Sequence, residues 1–188
     1  MRRIGPDHIT LASWISVLAL LVGAGPARAV PIVPGLWYEA LNPGPVGAFS
    51  LACAGSCVSA PGSTLAGAPP WTFSSPAAGQ TLIVNDGFDY GDIFRVYDNN
   101  ASIGVTSLST QFGSCGSDPV ACLADPLSSS GSFNLPAGAH SITIQLDQEF
   151  NPTGGGAFFF KLVPEPSIPV LLAVGLCTLA ARRRGRVG

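Results

Sequence analysis

A run of uncharged, largely apolar residues near the end of the chain, 167–181, takes the last part of the sequence out of any globular core. It carries Ile168, Val170, Leu171, Leu172, Val174, Leu176 and Leu179 and stops at Arg182-Arg183-Arg184-Gly185-Arg186. Its 15 residues fall short of the roughly 20 that an ordinary spanning helix needs. A buried closing helix and a plain tail anchor are alternative readings. Four arginines directly after the run argue against burial. Under the positive-inside rule they leave the tail in the cytoplasm and everything before it outside. Just upstream stands Val163-Pro164-Glu165-Pro166. Two prolines around Glu165 fix φ and remove backbone donors, so the motif is expected to be extended and exposed, a shape that suits the cleft of a processing enzyme.

The start of the chain agrees on topology. Met1-Arg2-Arg3 supplies positive charge, residues 9–22 an apolar stretch, and Ala27-Arg28-Ala29 a small-x-small cleavage site. This is the pattern of a secretory signal peptide, cut before Val30 by signal peptidase. A retained N-terminal membrane helix is the competing reading. The Arg2-Arg3 pair hints at twin-arginine export, but the residues after it do not continue that signal, so passage through the Sec translocon is expected.

The tail resembles the PEP-CTERM domain of exported bacterial proteins, and Pro164-Glu165-Pro166 matches the motif that names it. The resemblance spans residues 163–188, about a seventh of the chain. It implies an inner-membrane-anchored precursor, held by a short transmembrane helix until an exosortase cuts near the motif and the tail is lost. It also implies a destination in the cell envelope or an extracellular matrix, beside exopolysaccharide. Three parts are therefore expected: a signal peptide over 1–29, an exported domain over 30–162 and a sorting segment over 163–188.

Removing both ends changes the charge. Residues 30–164 hold two basic side chains, Arg95 and Lys161, against nine acidic ones, a net charge of −7. Nucleic acid is excluded as a partner because nothing supplies the phosphate contacts. Cations suit this surface better than polyanions. The many Gly, Ser, Thr and Pro residues suit short strands joined by turns. Strands are expected over 36–39, 46–52, 71–73, 81–85, 93–97, 101–107, 131–135, 140–146 and 157–162, with loops over 53–70 and 111–129. Asp98-Asn99-Asn100 reads as a hairpin turn. The alternation is clearest where Ile142, Ile144 and Leu146 share one face and Ser141, Thr143 and Gln145 the other. The expected fold is all-β, a jelly-roll-like β-sandwich without an amphipathic helix, flanked by a signal helix and a C-terminal transmembrane helix.

Cys53, Cys57, Cys115 and Cys122 lie in the two long loops. An even set in an exported domain reads as two disulfides, and four cysteines allow three pairings. Local pairs, Cys53 with Cys57 and Cys115 with Cys122, would staple each loop. A four-cysteine zinc site is the sharper alternative, against which stand the irregular spacing and the exported location. Cys177 falls inside the tail run.

The stretch Asp86-Gly87-Phe88-Asp89-Tyr90-Gly91-Asp92 puts three carboxylates within seven residues. Asp86, Asp89 and Asp92 form a candidate calcium set, although the spacing is not that of an EF-hand and Asp-Gly turns alone account for such residues. Residues 91–99 also resemble a segment common in the sandwich part of PEP-CTERM proteins, one that carries no known activity.

Catalysis has little support. His140 is the one histidine left after signal cleavage, it follows a Pro-Ala-Gly turn, and a solvated edge position is expected for it. No Gly-x-Ser-x-Gly elbow accompanies it. Asp147 and Glu149, on one face of an expected strand and roughly 7 Å apart, have a separation relevant to glycosidase carboxylates. They also continue the polar face of Ser141, Thr143 and Gln145. The expected role is thus non-enzymatic, in the envelope or matrix, with a carboxylate-dependent hydrolase of glycans as the alternative. Trp37, Tyr38, Trp71, Phe88 and Tyr90 are available for stacking on sugars or for the core.

Overall fold

The computed structural model describes residues 31–53, 57, 60–150 and 154–164. The signal peptide expected over 1–29, the membrane run and the arginines after it lie outside these residues. Among the described residues no helix is long and apolar enough to cross a membrane. The chain is mostly β, as its composition predicts. Among the described residues eleven strands run in order: β1 (Trp37–Asn42), β2 (Ser63–Leu65), β3 (Trp71–Ser75), β4 (Gln80–Asp86), β5 (Phe88–Tyr90), β6 (Asp92–Asp98), β7 (Ala101–Val105), β8 (Gly113–Gly116), β9 (Ser130–Leu135), β10 (Gly138–Glu149) and β11 (Gly156–Pro164). A short helix, α1 (Pro119–Ala124), precedes β9.

Two sheets face each other, one ordered β2-β1-β11-β4-β9 and the other β3-β10-β6-β7. A separate ribbon pairs β5 with β8. The core between the two sheets follows from period-two alternation. From β10 come Ile142, Ile144 and Leu146, from β6 Phe94 and Val96, and from β11 Phe158, Phe160 and Leu162, all buried in one cluster. Phe159 points the other way, into a second cluster with Trp37, Ala60 and Cys122. Over Phe158–Phe160 the strand buries both faces, which is why that stretch reads as an unbroken aromatic run.

Local chemistry fixes the ends of the elements. Asn99 and Asn100 both take positive φ, 48° and 66°, the two-residue turn that brings β7 back onto β6. Residues 46–52 do not form the expected strand. Gly47 has φ 89°, the Ala48 N–H reaches the Pro45 carbonyl at 2.9 Å, and only single bridges remain, Phe49 to Gln145 and Leu51 to Leu41. The helix α1 was not expected either. Its six residues are too few for a periodic signal, and it is set by Pro119 at its start and by Asp118, whose carboxylate accepts from the Val120 and Ala121 N–H groups. Both disulfides are local, Cys53–Cys57 and Cys115–Cys122. The second ties α1 to β8 through Cys122, which is fully buried.

Candidate functional site

The acidic stretch between β4 and β6 folds around Asp86. This side chain is fully buried, its Oδ1 accepts from the Gly87 N–H at 3.0 Å, and its Oδ2 accepts from the Gly91 and Asp92 N–H groups at 2.8 Å each. Phe88, inside the turn, holds φ at 60°, a left-handed conformation that an aromatic residue adopts only under constraint. Asp86 supplies that constraint. Burial pushes its carboxyl up to about 8, against the N–H donors of Asp92 and Gly91, which pull it down. Asp89 is exposed, on β5 opposite Ser114 of β8.

Asp92 is different. It is fully buried, and neither of its carboxylate oxygens has a hydrogen-bond partner. Alternation places it on the same face of β6 as Phe94 and Val96, toward the opposing sheet. There a Cβ at Gly156 of β11 would stand 2.9 Å from Asp92 Oδ2, so the carboxylate packs against the bare Gly156 backbone, where only glycine fits. Directly across from Asp92 in the β6–β10 pair is Glu149. Its Oε1 accepts from the Gly155 N–H at 2.6 Å. Burial first, and the Glu149 charge second, push the Asp92 carboxyl up to about 6.

Glu149 reaches this position through a register shift between Leu146 and Gln148. Unbroken alternation would put Asp147 and Glu149 together on the outer face, as the sequence suggests. The extra residue reverses the phase, and Glu149 joins the inner side opposite Asp92. Asp147 stays half-buried and is held by Arg95, with 2.7 Å between Nε and Oδ1. The two carboxylates expected as a pair therefore serve separate partners.

The calcium set Asp86, Asp89 and Asp92 is not gathered. Among the described residues the one trio of Asp, Glu, His or Cys groups within 4.8 Å of one another is Glu39, Cys53 and Cys57. Its two sulfurs are joined in the disulfide and have no lone thiolate to offer a metal. Glu39 is instead a buried brace, accepting from the Ala60 N–H at 3.2 Å and the Ser63 hydroxyl at 3.3 Å. Nothing in its sequence neighbourhood, Trp37-Tyr38-Glu39-Ala40, announces that role.

His140 is not a solvated edge residue. It is buried against Phe73, with Nδ1 2.8 Å from Asp98 Oδ2 and Nε2 2.8 Å from the Pro136 carbonyl. Both ring nitrogens are committed, and Asp98 Oδ1 also accepts from the Ser141 N–H. This cluster pins β10 to the end of β6. Of the aromatics considered for sugar stacking, Trp37, Tyr38, Trp71 and Tyr90 are buried and Phe88 packs on Phe159. An outward-facing pair does exist where Phe49 lies 5.7 Å from Tyr97, centroid to centroid. No family model, curated protein or solved structure matches this chain.

Proposed function

We propose that this chain is the exported precursor of a non-enzymatic envelope or matrix protein, built as a jelly-roll-like sandwich and delivered by its C-terminal sorting tail to an exosortase. The observation that carries the reading is that β11 stays paired up to the start of the motif. Val163 pairs with Thr81 and Pro164 with Gln80, so the strand keeps its partner up to the first residue of Pro164-Glu165-Pro166. A cut beyond Pro164 would leave that sheet whole, whereas a cut upstream of Val163 would take paired residues from a strand with neighbours on both sides. The domain and the sorting segment share Val163 and Pro164, which are paired in the sheet. The sandwich assignment is supported by the strand order β1-β11-β4-β9 facing β3-β10-β6-β7, which is what a long antiparallel hairpin gives when it is wound into two Greek keys.

The commitment of the polar groups supports a binding or structural role over hydrolysis. Asp147 is held by Arg95, His140 by Asp98 and Pro136, and Asp92 is closed off from any substrate as large as a sugar. For a polysaccharide-rich destination, Phe49 and Tyr97 supply the aromatic surface. Fractionation of cells making the full chain, or a chain stopped after Pro164, tests the delivery. The full chain is expected in the envelope or matrix fraction and the shortened one in the soluble periplasm or medium. The same distribution for both would refute sorting by the tail.

A further inference from the structure

The structure assigns a binding site for a hard divalent cation, calcium by preference, to the carboxylates of Asp92 and Glu149 in front of Gly156. The inference goes beyond the sorting role and stands whether or not the tail is cut. Like charges directly opposite on paired strands are destabilising, and a buried acid with neither oxygen bonded is costly. A sequence retains such an arrangement at low cost when something positive fills it. Among the described residues no cationic side chain does. Arg95 is engaged by Asp147, Lys161 lies over the Trp37 ring at 5.4 Å, and His140 is locked to Asp98.

Donor chemistry fits the ion. Asp92 Oδ2 reaches the Gly156 backbone because no side chain stands there, and the Glu149 carboxylate is held in place by the Gly155 N–H. Gly155 could not be another residue. Its φ is 73°, and a Cβ there would lie 2.5 Å from the Asn42 carbonyl oxygen. All the donors are oxygens, the choice of calcium and magnesium rather than of zinc or copper. Two carboxylates supply part of the roughly 6–8 oxygens that calcium takes, and the remaining ligands would have to come from carbonyls and water on the half-buried Glu149 side. With two charges in the shell, binding is expected in the range of extracellular modules, about 10⁻⁴–10⁻³ M. Bound there, the ion would join β6 and β10 to β11 at one end of the interior.

The test is thermal unfolding of the full chain in detergent, stripped with EDTA and then titrated with calcium chloride alone. A saturable rise in Tm on the order of 5–10 °C is expected at a hundredfold excess over Kd. Asp92→Asn and Glu149→Gln should each abolish it, and Asp89→Asn should leave it intact. Should Asp92→Asn fail to fold, Glu149→Gln decides, because that side chain is only half-buried. No saturable rise up to about 100 mM calcium chloride, a hundredfold excess over the weakest expected Kd, would overturn the assignment. So would a rise that survives both variants or disappears with Asp89→Asn, since the ion would then sit elsewhere.

Discussion

Trp71→Ala should destabilise the domain by about 3–5 kcal/mol, the range for deleting a large aromatic from a packed core. Trp71 is fully buried on β3, its ring 4.5 Å from that of Phe160 and 6.4 Å from that of Phe158, centroid to centroid. Those phenylalanines belong to β11 in the opposing sheet, so this one side chain bridges the two layers. Its Nε1 also donates to the Gly67 carbonyl at 2.9 Å, which fastens the incoming loop. Since β3 pairs only with β10, the cavity would open at a sheet edge with little backbone to hold it shut. Trp71→Phe keeps most of the contact and loses the hydrogen bond, so a loss of about 1–2 kcal/mol is expected. Urea unfolding followed by far-UV circular dichroism measures both without using tryptophan as the reporter. A loss under about 1 kcal/mol for Trp71→Ala would contradict this core.

Asp86→Ala is the second large effect, about 2–4 kcal/mol, because it strands the Gly91 and Asp92 N–H groups, while the Gly87 N–H keeps the Ala157 carbonyl at 3.2 Å. Asp86→Asn keeps one acceptor oxygen and should lose less. Asp89→Ala, at an exposed position, should stay within about 0.5 kcal/mol. The same buried acids set the pH dependence of the cation-free protein. Asp86 is raised to about 8 and Asp92 to about 6, from an ordinary value of 3.8. Between 3.8 and those values the folded state holds protons that the unfolded chain has released. Their stabilisation is therefore full at acid pH and is lost as pH rises through 6 and then 8, at up to about 1.4 kcal/mol per pH unit for each group. Melting in EDTA should be higher at pH 5 than at pH 8, and Asp86→Ala should flatten the upper part of that slope. A Tm that increases from pH 5 to pH 8 would show that these acids are not buried in this way.

The parts of this fold that a reader can see in the sequence are those whose pattern is local. Ile142, Ile144 and Leu146 alternate and are buried as they predict, and Asn99-Asn100 takes the two positive φ values that asparagine tolerates. The close spacing of Cys53 with Cys57 and of Cys115 with Cys122 favoured the pairs that form. What could not be seen depends on contacts between distant segments. Strands β2, β5 and β8 have only three or four residues, too short for alternation to stand out. The bulge before Gln148 leaves no mark in the sequence, yet it decides whether Glu149 faces solvent or Asp92. One usable signal was present. Asp92 is in phase with Phe94 and Val96, so an acid stood at an inward position where an apolar residue belongs. His140 misled because its burial depends on Asp98 and Phe73, which are far from it in the chain.

The intact mass of the protein recovered from its host, with and without the exosortase, decides whether the tail is a processing signal. The expected product begins at Val30, keeps β11 through Pro164, ends near Glu165 or Pro166, contains two disulfides, and disappears when the exosortase is absent. A product that still carries residues 167–188 in both strains would contradict a processing role. The tail would then be a permanent anchor, and the β domain a fixture of the inner membrane facing outward.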